Sequence, residues 1–275
     1  MKTAMNQKLP RLGFLIPPGN PNTEGEVIKM AMPEYSIHFT RMVAHGETGS
    51  LLGQDERNQT QIDHLPENIE LLNLLKPSVI AMAHTASSYT LGKQGEADLV
   101  KKLEDHYQVA FITAFGSVVK ALNHLKVKKI AFGTPYSEQN TLRCKNLLEA
   151  YGFEIVSFGN LPGVQNIYDE TTERALQLVH QVDSDLAQAV FISGVGMPTI
   201  DILEQAEAQT GKPVISSIAA TMWNAIQTSK LNSRPQHFGG LLSGKYWYDI
   251  AKAPSAISIY FSPSPRSSSS RYISG

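Results

Sequence analysis

A histidine followed closely by hydroxyl side chains carries the clearest chemical signal in this sequence. Residues 84–89 read His-Thr-Ala-Ser-Ser-Tyr and come directly after an apolar run. Histidine accepts or donates a proton near neutral pH, and hydroxyls with the N–H groups of a helix start can hold a carboxylate. We therefore predict His84 as a catalytic acid or base, with Thr85 and Ser88 as substrate ligands. The alternative is a helix cap whose histidine is satisfied by hydrogen bonds.

A second candidate segment is the turn at residues 17–26 (PPGNPNTEGE), which follows the first apolar run of the chain. Pro17 stiffens the turn and Asn20 offers an amide, so both are predicted to contact a substrate. Thr23 and Glu26 have the spacing of a capping box, in which two side chains satisfy N–H groups at a helix start. The alternative interpretation is a stiff loop that leads into a capped helix.

Two further turns follow apolar runs in the second part of the chain. Tyr136 lies in one of them and is predicted to point its phenol at a substrate, whereas Ser137 is predicted to cap the next helix. The other turn contains Gly194, Val195 and Gly196. Glycines let a ligand approach the backbone, and N–H groups at a helix start favour an anion, so all three are predicted substrate contacts.

Several kinds of site are not predicted. A dinucleotide fingerprint after the seventh apolar run would need glycine at the position of Thr199, and no phosphate-binding loop motif occurs in the chain. The histidines lack metal-ligand spacing, and the single cysteine, Cys144, lies in a predicted helix and is interpreted as a small core residue. We therefore predict neither a metal nor a cofactor.

The composition is that of an ordinary globular protein. The chain has 275 residues, of which 42% are hydrophobic, with 24 basic and 25 acidic side chains. A net charge near zero gives no field that favours nucleic acid or an anionic membrane. The apolar run at residues 12–16 is too short for a signal peptide or a membrane span. We expect a cytoplasmic protein whose partner is a small carboxylate.

Short apolar runs alternate with amphipathic stretches along the chain, which indicates βαβ units and a mostly parallel sheet. The runs occupy residues 12–16, 36–42, 78–83, 109–113, 129–133, 154–158, 189–193 and 213–216. Helical spacing is found at residues 69–75, 138–151, 171–182 and 199–209. Ligands of such sheets bind beyond the carboxyl ends of the strands, where the candidate turns lie.

The spacing of the elements predicts two α/β halves. Residues 1–116 form the first half, to which residues 213–260 are expected to return. Residues 117–212 form the second half. Residues 261–275 are dominated by serine and proline without apolar periodicity, and a disordered tail is predicted there.

Four segments, in this order and spacing, resemble the aspartate/glutamate racemase superfamily, and within it the branch of maleate cis-trans isomerases and arylmalonate decarboxylases. They are IPPGNPNTEGE at 16–26, AHTASSYTLG at 83–92, FGTPYSEQN at 132–140 and FISGVGMPTID at 191–201. The resemblance covers roughly residues 10–230. It implies an α/β fold of two flavodoxin-like halves, doubly wound with mostly parallel sheets and related by pseudo-twofold symmetry, with the site between them. It also implies a homodimer as a further partner.

The family normally offers one cysteine from each half to the substrate α-carbon, and this chain departs from that pattern. His84 stands at the first cysteine position and Gly194 at the second. The resemblance implies that Thr85, Ser88, Tyr136, Val195 and Gly196 keep the carboxylate site, with Asn20 and Asn166 as polar contacts.

Three hypotheses follow from these residues. In the first, the chain is an enzyme that uses His84 for one-sided acid–base chemistry in an isomerisation, decarboxylation or elimination. In the second, it is a non-catalytic protein that binds small carboxylates. In the third, it is a racemase or isomerase in which Cys144 reaches the cleft, which a cysteine buried in a helix-packing face would exclude.

Overall fold

The structure is a computed structural model that describes residues 9–45 and 50–246. Two expectations concern other parts of the chain. The disordered tail predicted at 261–275 lies outside the described residues, and so do residues 247–260 of the expected return to the first half.

Within the described residues, eight strands form two four-stranded parallel sheets with the same strand order, which confirms the predicted α/β fold of two flavodoxin-like halves. In the first sheet the order is β2-β1-β3-β4, and in the second it is β6-β5-β7-β8. The first four strands are β1 (Arg11–Ile16), β2 (Ser36–Arg41), β3 (Val79–Met82) and β4 (Ala110–Thr113). The other four are β5 (Lys129–Thr134), β6 (Glu154–Asn160), β7 (Ala189–Ile192) and β8 (Val214–Ser216).

The helices connect these strands, and four of them begin at a hydroxyl side chain that caps the first turn. The capping residues are Thr113, Ser137, Thr171 and Ser216, each of which accepts a backbone N–H, so the cap predicted at Ser137 is confirmed. The helices are α1 (Thr23–Lys29), α2 (Gln54–Asp63), α3 (Leu65–Asn73), α4 (Ala86–Tyr107), α5 (Ala114–His124), α6 (Glu138–Ala150), α7 (Thr172–Val182), α8 (Leu203–Thr210), α9 (Ser217–Thr228) and α10 (Gly240–Ser243).

Residues 213–260 were predicted to return to the first half. For strand β8 this prediction is wrong. Strand β8 pairs with β7 and completes the second sheet, as strands that are consecutive in the chain commonly do. Helix α9, which follows β8, packs against α5 and against β3 and β4 of the first sheet. Nearly all its side chains are buried, so this helix forms core between the two halves.

Polar side chains of the turn after β1 join the two halves at the carboxyl ends of the strands. The amide nitrogen Nδ2 of Asn22 donates to the carbonyl oxygens of Tyr168, at 3.0 Å, and Gly196, at 2.8 Å. The hydroxyl of Thr23 donates to the carbonyl oxygen of Val195 at 3.0 Å. The glycine turn after β7 is thereby held against the first half, together with the segment around Tyr168.

Glu26 adds two further contacts between the halves, and the capping box predicted for Thr23 and Glu26 is wrong. The carboxylate oxygen Oε1 of Glu26 accepts the backbone N–H groups of Thr199, at 2.5 Å, and Ile200, at 2.9 Å. Both side chains therefore point across to the second half, and Oδ1 of Asn20 accepts the N–H of Thr23 instead. Burial raises the pKa of Glu26 to about 7, although the two N–H donors oppose the rise.

We expect Glu26 to make the free energy of unfolding depend on pH between about 4.5 and 7. A folded pKa above the unfolded value means that its contribution is complete below pH 4.5 and is lost as the pH rises through 7. The loss amounts to up to roughly 3 kcal/mol. Glu26→Gln should abolish this component, as measured by urea unfolding at pH 5 and pH 7.5.

The matched control is Glu24→Gln, which removes a carboxylate of the same helix that is partly exposed and paired with Arg41. This variant should keep the pH dependence of the wild type. If Glu26→Gln keeps it as well, the assignment to Glu26 is wrong.

Candidate active site

A narrow cleft between the two halves contains His84. Its walls come from the turn after β1, from helix α2 with the segment before it, and from the segment around Tyr168. The lining residues are Pro17, Pro18, Ser50, Gln54, Arg57, Asn58, Gln61, His84, Ile167 and Tyr168. The free volume is about 20 Å³, room for roughly one water molecule.

The imidazole of His84 is fixed by one hydrogen bond and is neutral at pH 7. Its Nδ1 lies 2.6 Å from the hydroxyl oxygen of Ser87, which is fully buried in the first turn of α4. This contact orients the ring and leaves Nε2 as the second nitrogen that can exchange a proton. Burial, and then the positive charge of Arg57, lower the pKa of His84 to about 4. The ring is therefore unprotonated at pH 7; it is a weak base in the free protein, and an anion bound beside it would raise its pKa.

Helix α2 supplies four polar residues of the cleft that the sequence interpretation missed. Gln54, Arg57, Asn58 and Gln61 are all buried and recur at the i, i+3, i+4, i+7 spacing of one helix face. The buried face of a helix is normally apolar. Polar residues that recur in the sequence at helical spacing are therefore the signal that would have identified this face of α2.

Thr85 and Ser88, both predicted substrate ligands, lie in different surroundings. Thr85 is fully buried, and its hydroxyl has no hydrogen-bond partner among residues 9–45 and 50–246. The hydroxyl of Ser88 instead donates to the carboxylate of Glu96 at 2.5 Å, and Thr113 donates to the same oxygen at 2.6 Å. Ser88 therefore points along α4 into a buried cluster, which corrects its prediction as a ligand.

The turn after β7 is packed tightly around its two glycines. A Cβ atom on Gly196 would lie 2.4 Å from the ring of Tyr168, so only glycine lets this ring cover the turn. Gly194 has a φ of +102°, and a Cβ atom there would lie 2.8 Å from the ring of Pro135. Gly194, where the resemblance places the family's second cysteine, therefore has no room for a side chain in this packing.

The phenol of Tyr136 lies close to Gly194 in the turn after β7. The phenol oxygen of Tyr136 would be 3.6 Å from a Cβ atom on Gly194, and the side chain is almost completely buried. The N–H groups of Val195 and Gly196 form no hydrogen bond within the described part of the chain. Because Tyr168 both covers Gly196 and lines the His84 cleft, its ring separates the two groups of predicted site residues.

Asn20 and Asn166 were predicted to contact the substrate. In the structure their side chains form hydrogen bonds that stabilise turns. Oδ1 of Asn20 accepts the N–H of Asn22 at 2.9 Å, and Nδ2 donates to the hydroxyl of Thr23 at 2.6 Å. Oδ1 of Asn166 accepts the N–H of Tyr168 at 2.9 Å. Both asparagines thus position the walls of the cleft, whereas Pro17 lines it directly.

Cys144 lies in a helix-packing face and does not reach the cleft. It is fully buried in α6 within the hydrophobic core. Burial raises the pKa of its thiol to about 12, although a hydrogen bond with Tyr89 opposes the rise. A thiol with this pKa is not ionised at pH 7, so the hypothesis of a Cys144 nucleophile or base is wrong.

Neither a metal site nor a membrane-spanning helix is found among the described residues. Between residues 9 and 246, with 46–49 left aside, no group of three or more His, Cys, Asp or Glu side chains could hold a metal ion. In the same part of the chain, each helix is too short or too polar to cross a membrane.

Known proteins share this arrangement of strands and turns. A family model described as arylmalonate decarboxylase matches residues 12–242. Maleate isomerase of Alcaligenes faecalis is 25% identical over 246 residues, which cover 85% of this chain and 96% of that protein. Maleate isomerase of Pseudomonas putida is 26% identical over 248 residues, which cover 87% of this chain and 99% of the relative.

Solved structures of maleate isomerases have the same fold as this chain. A variant of maleate isomerase Iso from Pseudomonas putida S16 with maleate gives a TM-score of 0.78 at 23% identity, covering 86% of this chain and 98% of that chain. A variant of Nocardia farcinica maleate cis-trans isomerase with a covalently bound succinylcysteine intermediate gives 0.78 at 21% identity, covering 86% and 99%. The resemblance noted in the four motifs is thereby confirmed. Since the family model spans most of its length, the chain belongs to the arylmalonate decarboxylase family.

Proposed function

We propose that this chain is a cofactor-independent isomerase or decarboxylase that acts on a small carboxylate by acid–base chemistry at or next to the α-carbon. His84 takes the place of the family thiol as the proton acceptor. The observation that carries the proposal is the position of His84, at a strand end, oriented by Ser87 and lining a cleft between the halves.

The absence of a second proton carrier limits the reaction to proton transfer on one face of the α-carbon. A two-base racemisation needs a proton carrier on each face of the α-carbon, and Gly194 has no side chain to act as one. Covalent addition through sulfur needs a thiolate, and the thiol of Cys144 is buried in the core. One imidazole can accept a proton from the α-carbon in an isomerisation or elimination, and the same nitrogen, once protonated, can give a proton to the carbanion that isomerisation or decarboxylation leaves.

Charge stabilisation in this mechanism falls to the turns at the strand ends. Removing a proton, or carbon dioxide, next to a carboxylate leaves negative charge on the carboxylate oxygens, and donors already in place lower the energy of that state. The unpartnered hydroxyl of Thr85 and the N–H groups of Val195 and Gly196 are the donors we propose. Tyr168 has to move from Gly196 for one substrate to reach both turns.

A non-catalytic carboxylate-binding protein was the alternative hypothesis, and the comparisons do not favour it, because the matched family and relatives carry enzyme names. A homodimer and a cytoplasmic location stay predictions.

Replacing His84 should remove proton exchange. We expect wild-type protein in deuterated water to exchange the α-hydrogen of a small carboxylate, with malonate, methylmalonate and succinate as probes of exchange and maleate as a probe of isomerisation. His84→Gln should slow the exchange or turnover of the active probe by about 10²–10⁴-fold, the usual contribution of a general base. NMR of the probe measures both processes.

His180→Gln serves as the control, since His180 is an exposed histidine on α7. It should exchange the active probe at the wild-type rate. Wild-type activity in His84→Gln would remove His84 from the mechanism.

The imidazole of His84 should titrate near pH 4 in the free protein, because burial and Arg57 disfavour its cation. An anion bound in the cleft should raise this midpoint, since nearby negative charge stabilises the imidazolium. NMR titration of the ring protons, assigned by comparison with His84→Gln, measures both values. A midpoint that saturating carboxylate leaves unchanged would mean that the anion binds elsewhere.

A further inference from the structure

The carboxylate of Glu26 crosses from helix α1 to the segment after β7, in which two of the proposed substrate donors lie. We propose that Glu26 is a positioning residue of the reaction: by holding the far end of this segment, it fixes the N–H groups of Val195 and Gly196 where they receive the substrate carboxylate. The inference rests on the proposed function in one respect, which is that these two N–H groups contact the substrate.

The backbone N–H groups after β7 fall into two sets. Oε1 of Glu26 accepts those of Thr199, at 2.5 Å, and Ile200, at 2.9 Å. Those of Val195 and Gly196 have no acceptor within the described part of the chain. N–H groups at a helix start are the ones that normally bind an anion, and here the protein's own carboxylate takes that position. A substrate carboxylate is thereby left with the N–H groups nearer to β7.

Thr23, one helical turn before Glu26, fixes the direction of one of these remaining N–H groups. Its hydroxyl donates to the carbonyl oxygen of Val195 at 3.0 Å. In a trans peptide the carbonyl of one residue and the N–H of the next point in opposite directions, and the described residues contain no cis peptide bond. The N–H of Gly196 therefore points away from the hydroxyl of Thr23. One attachment would leave the turn free to pivot, and Glu26 supplies the second.

The turn needs two attachments because its own sequence is flexible. Gly194 and Gly196 have no Cβ atom, and glycine has the widest choice of backbone conformations. The ring of Tyr168 packs on Gly196, and the proposed function requires this ring to move when the substrate enters. The bonds from Thr23 and Glu26 do not involve the ring, so they hold the turn while the ring is displaced.

The burial of Glu26 shows that this anchoring is retained at a cost. The residue is 6% exposed, and its second oxygen, Oε2, has no hydrogen-bond partner among the residues that the structure describes. Burying a carboxylate that is only partly hydrogen-bonded costs free energy. Hydrogen bonds to an ionised acceptor are also stronger than those to a neutral one, so the carboxylate fixes the turn more firmly than an amide does.

A second contact between the same two elements allows positioning to be separated from docking of the halves. Nζ of Lys29, also on α1, lies 2.5 Å from the carboxylate of Asp201, which follows Ile200. Both side chains are about half exposed, and neither bonds to the turn. Loss of this ion pair weakens the same junction without releasing the N–H groups that Glu26 holds.

Glu26→Met removes the acceptor and keeps a side chain of similar length. The kcat for the active probe should fall about 10²-fold, because displaced donors no longer meet the charge that develops in the transition state. KM should change by less than about 3-fold. In ¹⁵N relaxation measurements, the amide order parameters of Val195 and Gly196 should fall from about 0.85 to below about 0.6.

Two further variants complete the set. Glu26→Gln keeps an oxygen at the same reach, so it should retain kcat within about 5-fold of the wild type and the wild-type order parameters. Lys29→Met, the matched control, should leave both quantities unchanged. Should Glu26→Met fail to fold by circular dichroism, Glu26→Asp replaces it. Its carboxylate is one methylene too short for both bonds, so kcat and the order parameters should fall in the same direction.

The proposal is overturned if Glu26→Met, or Glu26→Asp in its place, keeps the wild-type kcat or the wild-type order parameters. It is also overturned if Lys29→Met lowers kcat as much, since the effect then comes from docking of the halves.

An NMR titration with malonate separates this inference from the proposed function. Should the wild type act on no probe, the proposed chemistry is refuted, but malonate should still shift the amide resonances of Val195 and Gly196, and the shifts should be lost in the Glu26 variant. Unshifted amides in the wild type, or equal shifts in both proteins, would overturn the role of Glu26 as well.

Discussion

The structure depends on hydrogen bonds that cross between the two halves at the carboxyl ends of their strands. Asn22, Thr23 and Glu26 satisfy carbonyl and N–H groups of residues 195–200, which lie between 172 and 174 positions further along the chain. Buried backbone groups that lost these partners would each carry a desolvation cost. The two halves therefore need each other, and the cleft exists only while they are docked.

This constraint explains how the frame can persist when His84 and Gly194 stand where the resemblance places the family's two cysteines. The turns are held by main-chain and side-chain bonds that involve neither cysteine position, so those positions can change without loss of the frame. At Gly194 the change is accommodated by close packing against Pro135, and at His84 by a buried hydroxyl that orients the ring. At His84 the side chain is an imidazole that is neutral at pH 7, because burial and Arg57 lower its pKa.

The cleft also breaks the ordinary rules of core composition in a consistent way. Helix α2 buries amides and a guanidinium where a folding argument alone would place apolar residues. Sites at which local sequence rules fail are commonly functional, since stability is given up there for binding or catalysis. The lowered pKa of His84 has the same origin, because it comes from burial first and from Arg57 second.

The sequence by itself determined the eight strands, the parallel α/β class and local caps such as Ser137, because apolar runs and caps depend on residues near each other in the chain. Tertiary structure alone decided that Glu26 reaches Thr199, that Ser88 turns to Glu96 and that β8 joins the second sheet. Each of these outcomes depends on a partner outside the local pattern. The spacing that suggests a capping box is identical whether the side chain bonds its own helix or a turn in the other half, so only the packed halves distinguish the two.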